Sequence, residues 1–138
     1  MGVKDYITKK IQEALKTAAK DIPPAATWPR AHLRVHGKKE FLRRNSKKWE
    51  SGRIDKREGT YTIHECVANL TRLFYEAGDK PIGADEYRCR HFEVKHAKLS
   101  KSWGHPYLSF KVELFWPERK AESLEEFKFF FDVEMKQV

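Results

Sequence analysis

Glu93 and Lys95 are the two residues whose types and spacing come nearest to a catalytic arrangement. They stand two positions apart in the segment HFEVKHAK, where Phe92 and Val94 alternate with them. Because successive side chains of a strand point to opposite faces, a strand here places Glu93 and Lys95 on one face and the two apolar residues in the core. A carboxylate in that position could bind Mg²⁺, and the lysine could steady an attacking water or a phosphorane.

This E-x-K spacing resembles that of metal-dependent nucleases related to restriction endonucleases. A metal would need a second carboxylate, for which the candidates are Asp85 and Glu86 on the preceding segment and Glu76 at the end of a helix. The separation of eight residues between Asp85 and Glu93 is short for that family. E-x-K on a strand is also the pattern of a cross-strand ion pair. A nuclease using Asp85, Glu93 and Lys95 is therefore a further alternative and not the leading hypothesis.

The histidines do not form a convincing set of metal ligands. His32 and His36 are four positions apart on one predicted strand, and His91 and His96 are five apart, which points them to opposite faces of a regular strand. No HxH, HExxH or Cys/His grouping occurs. The chain also lacks the glycine-rich phosphate loops and the G-x-S-x-G motif. We therefore expect no metal and no cofactor, and a non-enzymatic protein rather than an enzyme.

The two cysteines and the hydropathy of the chain bear on its location. Cys66 and Cys89 lack CxxC spacing and lie in apolar-patterned segments, which predicts buried free thiols. No apolar run approaches the roughly 18 residues of a membrane span, and the N-terminal residues MGVKDYITKK lack the apolar stretch of a signal peptide. These features predict a soluble, cytoplasmic protein with no membrane partner.

Positive charge is concentrated in one segment, which we call the basic arm (about residues 30–58). The formal net charge of the chain is +8. The basic arm holds eleven basic residues against four acidic ones, or +7, whereas residues 113–138 hold seven acidic against four basic, or −3. A protein that needed only solubility would mix the two signs over its surface. Nucleic acids attract such segments because Lys and Arg neutralise phosphates and release counterions.

Hydrophobic periodicity predicts one α+β domain over residues 1–138. Apolar residues at helical spacing predict helices over residues 3–22 and 60–78, the second opened by a capping box of Thr62 and Glu65 and closed by Gly78. A short strand over residues 31–36 ends at Gly37. In the rest of the basic arm, Gly52 and Gly59 suggest a hairpin around residues 52–59, while apolar spacing over residues 41–49 suggests a helix face, and we expect one short helix. Three further strands are predicted over residues 87–97, 107–116 and 126–135. The fold is then a mostly antiparallel sheet of about four or five strands packed with two main helices, one on each side.

The leading hypothesis is a small protein that binds DNA or RNA through phosphate contacts, with weak sequence specificity, because no compact recognition helix is present. Trp49 is either a core anchor or a platform on which bases stack. The alternative is an inhibitor or assembly factor of the kind that viruses and mobile elements encode, docking on an acidic protein or on the acidic end of a second copy of itself. The predicted nucleic-acid contacts are Arg34, Lys38, Lys39, Arg43, Arg44, Lys47, Lys48, Trp49, Arg53, Lys56, Arg57, Arg88, Arg90, Lys95 and Lys98.

Overall fold

Five antiparallel strands form one sheet, and two helices accompany it. The computed structural model describes residues 2–43, 49–79, 91–116 and 124–138. The strands follow the order β2-β1-β5-β4-β3 across the sheet. The predicted α+β fold, with four or five strands and two main helices, is confirmed. The elements are α1 (Val3–Leu15), β1 (Arg30–Arg43), β2 (Trp49–Thr62), α2 (Ile63–Asp79), β3 (His91–Ser102), β4 (His105–Trp116) and β5 (Leu124–Gln137).

The two helices lie antiparallel against each other on the same side of the sheet. The hydroxyl oxygens of Thr8 and Thr71 are 2.9 Å apart, and the Lys4 ammonium lies 4.7 Å from the centre of the Tyr75 ring. Residues early in α1 therefore face residues late in α2. The expectation of one helix on each side was wrong, because both apolar stripes pack on the single apolar face of the sheet.

No described helix is long and apolar enough to cross a membrane.

One hydrophobic core joins the helices to alternate residues of the strands. The Phe74 ring of α2 lies 5.8 Å from the Phe92 ring of β3 and 5.0 Å from the Phe131 ring of β5, measured between ring centres. Trp28 fills the core beside α1 as a 3% exposed side chain, and its indole N–H donates to the Pro23 carbonyl at 3.0 Å. The buried residues of the sheet include Leu33, Val35, Leu108, Phe110, Val112, Leu114, Phe129, Val133 and Met135.

Local hydrogen bonds mark the start of α2 and the end of α1. Thr62 and Glu65 form the predicted capping box: the Thr62 N–H donates to Glu65 at 3.0 Å, and the Glu65 N–H donates to the Thr62 hydroxyl at 3.2 Å. α2 ends at Asp79, one residue past the predicted end. α1 ends at Leu15 rather than residue 22, because the Thr17 hydroxyl donates to the Ala14 carbonyl and Asp21 adopts a left-handed φ of 62°.

The basic arm is a long β-hairpin and not a strand followed by a helix. β1 continues through Gly37 to Arg43, and it pairs with β2 from Arg30 opposite Thr62 to Leu42 opposite Trp49. β1 also pairs with β5 along its length, which adds a second ladder of hydrogen bonds. The extended conformation is therefore favoured by two neighbouring strands, a tertiary effect that the irregular sequence pattern of the arm does not reveal.

Both edge strands carry a β-bulge. In β2, two residues stand opposite the single residue Gly37 of β1. They lie between two regular pairs, which are His36 with Lys56 and Lys38 with Arg53. In β3 the extra residue lies between Lys95 and Lys98, where His96 has a left-handed φ of 58°. Bulges interrupt the regular edge of a sheet and so oppose uncontrolled pairing with another strand.

Candidate nucleic-acid interface

The β1–β2 hairpin places most of the net charge at one edge of the sheet. The eleven basic and four acidic residues of the basic arm all fall between Arg30 and Glu58, within the hairpin and its connection. β2 is an edge strand, with β1 as its neighbour on one side only. The hairpin therefore forms a positively charged edge of the sheet, which a partner can approach along β2.

The structure describes the predicted contact residues to different extents. The side chains of Arg34, Lys38 and Arg57 are described and exposed. Lys39, Arg43, Trp49, Arg53 and Lys56 lie in the strands by their backbone, and their side chains are outside the described part. Whether Trp49 anchors the core or stacks on bases therefore stays a prediction. Arg44, Lys47, Lys48, Arg88 and Arg90 fall outside the described residues, as do Asp85 and Glu86.

Residues 113–138, which we call the acidic segment, include β5, and β5 lies directly beside β1 of the basic arm. Arg34 of β1 stands opposite Glu58 of β2 and Glu134 of β5, and His36 stands opposite Asp132 of β5. Opposite charges at such cross-strand positions attract each other. The basic and acidic parts of the sequence therefore lie side by side within one molecule. This weakens the reason to expect that the basic arm binds the acidic end of a second copy.

The face of the sheet that the helices do not cover has mixed charge. On it, the His32 ring contacts the Glu58 carboxylate at 3.0 Å and the Thr60 hydroxyl at 3.1 Å. The Lys111 ammonium lies 3.9 Å from the Asp132 carboxylate. Cations and carboxylates alternate there, so the central part of this face resembles an ordinary solvated surface.

The E-x-K pair is part of a cross-strand ion cluster. The Lys95 ammonium lies 2.9 Å from the Glu113 carboxylate of β4 and 3.6 Å from the Glu93 carboxylate. The hydrogen bond to Glu113 is the main reason that the pKa of the exposed Lys95 is raised. This is the ion-pair alternative to a nuclease site. Lys98, on the same strand, is exposed.

The described residues contain neither a metal cluster nor a reactive thiol. No group of three or more His, Cys, Asp or Glu that could hold a metal ion occurs in the described part of the chain. Cys66 is a buried free cysteine, as predicted, and burial raises the pKa of its thiol to about 11. A thiol with that pKa is a poor nucleophile at neutral pH. Cys89 lies outside the described residues.

Sequence reasoning missed an exposed tryptophan at the β3–β4 turn. Trp103 is 95% exposed, and it occupies a two-residue turn between the paired Ser102 and His105. Both turn residues have positive φ, 53° for Trp103 and 80° for Gly104, as in the type I′ turns of hairpins. A residue followed by Gly between two alternating segments is the signal that could have located this turn.

No protein-family model matches this chain, and no curated protein or solved structure is significantly similar to it. The fold and the distribution of charge are therefore the basis for a functional hypothesis.

Proposed function

We propose that this protein binds nucleic acid through the phosphate backbone, with the basic arm as the main contact surface. The observation that supports the proposal is the charge of one edge hairpin: residues 30–58 hold +7 of the formal net charge of +8, and β1 and β2 hold eight of the eleven basic residues. Phosphate neutralisation with release of counterions is the principal driving force of weakly specific binding to nucleic acids.

The dimensions of the hairpin suit a polyanion. Each strand has 14 residues, which corresponds to about 45 Å at ~3.3 Å per residue. Because β1 is also paired with β5, the accessible edge is β2, and this edge can follow a single strand or the phosphate backbone of a duplex. Arg34 stands opposite two carboxylates, so the contacts are expected mainly from the part of the hairpin beyond Lys38.

The finer predictions of site and location belong to this proposal. Lys98 would add a phosphate contact outside the basic arm, whereas Lys95 would add less because Glu113 already holds its ammonium. We place the binding in the cytoplasm, since the chain has only two cysteines and they lack CxxC spacing. Discrimination between DNA and RNA would depend on groove shape or on contacts to the 2′-hydroxyl.

Titration of fluorescein-labelled single- and double-stranded DNA and RNA against salt tests the proposal. The arm variant removes two charges from the end of β1 and two from the connection that follows it. A matched control removes four charges from α1, the following segment and β3. Neutralising four phosphate contacts should lower the slope of log Kobs against log salt by about 3, whereas the control should change it by less than about 1. The arm variant is Lys39→Gln, Arg43→Gln, Lys47→Gln and Lys48→Gln, and the control is Lys9→Gln, Lys10→Gln, Lys20→Gln and Lys101→Gln.

The outcomes separate the competing functions. Absence of binding to all four probes at low salt would overturn the proposal and point to an acidic protein as the partner of the arm. Equal losses in the arm variant and its control would show that net charge, and not the hairpin, governs binding. Cleavage of a probe that needs Mg²⁺ and disappears in Glu93→Ala would instead support the nuclease alternative.

A further inference from the structure

A groove of about 750 Å³ runs between α1 and α2, and its described lining residues do not belong to the basic arm. Its floor is aliphatic and includes Leu15 of α1 together with Val67 and Ala68 of α2. Leu15 is 2% exposed, Val67 is half-buried and Ala68 is exposed, so the floor changes from core to surface across its width. The groove thus offers apolar surface of a size typical of binding sites.

The charged residues that line this groove are all basic. Lys4 and Lys16 come from α1, and Arg72 and His64 come from α2. Neither Asp nor Glu is found among its described lining residues. This contrasts with the open face of the sheet, where carboxylates stand next to the cations. The groove therefore favours an anionic partner.

The basic residues stand at the two ends of the groove. Because the helices are antiparallel, Lys4 lies at the same end as Arg72, and Lys16 lies at the same end as His64. Lys4 and Lys16 are separated by twelve helical positions, or about 18 Å at 1.5 Å per residue. The aliphatic floor lies between the two ends.

Two hydroxyls beside Arg72, towards the Lys4 end of the groove, have one donor to spare. Thr8 and Thr71 hydrogen-bond each other at 2.9 Å, in a pair in which either oxygen can be the donor. Only one of the two hydroxyl protons can lie between the oxygens, so the other can be donated to a bound group. The pair is part-buried, and Thr71 is only 8% exposed.

From these observations we propose that the groove binds an acidic amphipathic helix of a partner protein. Such a helix would place Leu or Ala side chains on the aliphatic floor and carboxylates about three turns apart at the two basic ends. A fatty acid carries one anionic group and would use only one end. A nucleic-acid base would stack best on Phe, Tyr or Trp, and the described lining residues include none of these three.

Fluorescence anisotropy with a labelled synthetic peptide tests this inference on the full chain. The probe is a helix-forming peptide with Leu along one side and a pair of Glu at each end of that side, and the control peptide has Gln in place of each Glu. We expect saturable binding of the Glu peptide and binding at least about tenfold weaker for the Gln peptide. Saturating duplex DNA should not displace the peptide, because the groove is separate from the basic arm.

Two protein variants of equal net charge locate the binding. Lys4→Glu with Lys16→Glu reverses one cation at each end of the groove and should weaken binding about tenfold. Lys9→Glu with Lys20→Glu reverses two cations outside the groove lining and should leave affinity within about twofold. Circular dichroism checks that both variants remain folded.

Three results would overturn the inference. The first is no saturable binding of the Glu peptide to the wild-type protein. The second is equal weakening by the two charge-reversal variants, which would indicate long-range attraction only. The third is saturable binding of dodecanoate with no binding of the peptide, which would assign the groove to a lipid.

Discussion

The two hairpins that flank β5 share one construction and differ in charge. Residues 30–62 hold eleven basic residues against four acidic, of which eight basic and all four acidic residues lie in β1 and β2, whereas the β3–β4 hairpin carries four basic against two acidic, or +2. Each hairpin has a β-bulge in its edge strand. Backbone pairing therefore does not account for the difference. A charge that the fold does not need is best explained by a partner, and this is why the basic arm carries the proposed function.

The two hairpins also differ in how many carboxylates they hold for each cation. In the β3–β4 hairpin, Lys95 contacts Glu93 and Glu113, and Lys111 approaches Asp132 of β5. In the sequence of the basic arm, four carboxylates stand against eleven cations. Exposed ion pairs contribute little to stability, so the pairs of the β3–β4 hairpin mainly lower its local net charge.

The largest expected effect among the following changes is at Gly59, at the base of the basic hairpin. A Cβ at Gly59 would lie 2.5 Å from the Tyr61 hydroxyl oxygen and 2.7 Å from the ring carbon that carries it. Gly59→Ala should therefore displace the half-buried Tyr61 ring and lower the free energy of unfolding by about 1–3 kcal/mol. Urea denaturation measures this loss.

A double-mutant cycle isolates the cause of that effect. In a Tyr61→Ala background the ring is absent, so Gly59→Ala should cost less than about 0.5 kcal/mol. An equal cost in both backgrounds would show that the backbone of Gly59, and not the Tyr61 ring, requires glycine.

A smaller effect, an increase in stability, is expected at the turn of the β3–β4 hairpin. Trp103 has a left-handed φ of 53° and is 95% exposed, so its backbone is strained and its indole packs against little. Asn-Gly is a preferred pair for such turns, and Trp103→Asn should raise stability by about 1 kcal/mol. Thermal and urea unfolding would detect this gain. A less stable variant would contradict the interpretation, and reduced nucleic-acid binding by a stable variant would add Trp103 to the interface.

The smallest expected effect concerns Tyr107 of β4. Burial, with the Glu134 carboxylate as a second cause, raises the pKa of Tyr107 from 10.0 to about 12. The folded protein thus holds this proton more tightly than the unfolded chain does. The stability from this group is fully present below about pH 10 and is lost as the pH rises through about 12.

Tyr107→Phe removes this contribution and should make the fall in stability between about pH 10 and 12 shallower than in the wild type. The buried Cys66 thiol titrates in the same range, but it is present in both proteins and cancels in the comparison. Urea unfolding at several pH values measures the two curves. Parallel curves would show that Tyr107 is not protected in the folded state.

Local patterns predicted the elements whose signals are short-range. The capping box at Thr62 and Glu65 located the start of α2, and alternation located much of β4 and β5. The first helix was overextended, because helical periodicity continued past the residues where Thr17 and Asp21 turn the chain. The partner of Lys95 was also unpredictable, since Glu113 comes near it only through the β3–β4 register.

The sequence by itself determined the fold class, the burial of the apolar residues and the concentration of charge between Arg30 and Glu58. These properties depend on composition and on periods of a few residues. Only the tertiary structure decided that the basic arm is a hairpin, that the acidic segment lies beside it, and that both helices share one face of the sheet. These features depend on which strands pair and which apolar faces meet, and such long-range contacts have no local signature in the chain.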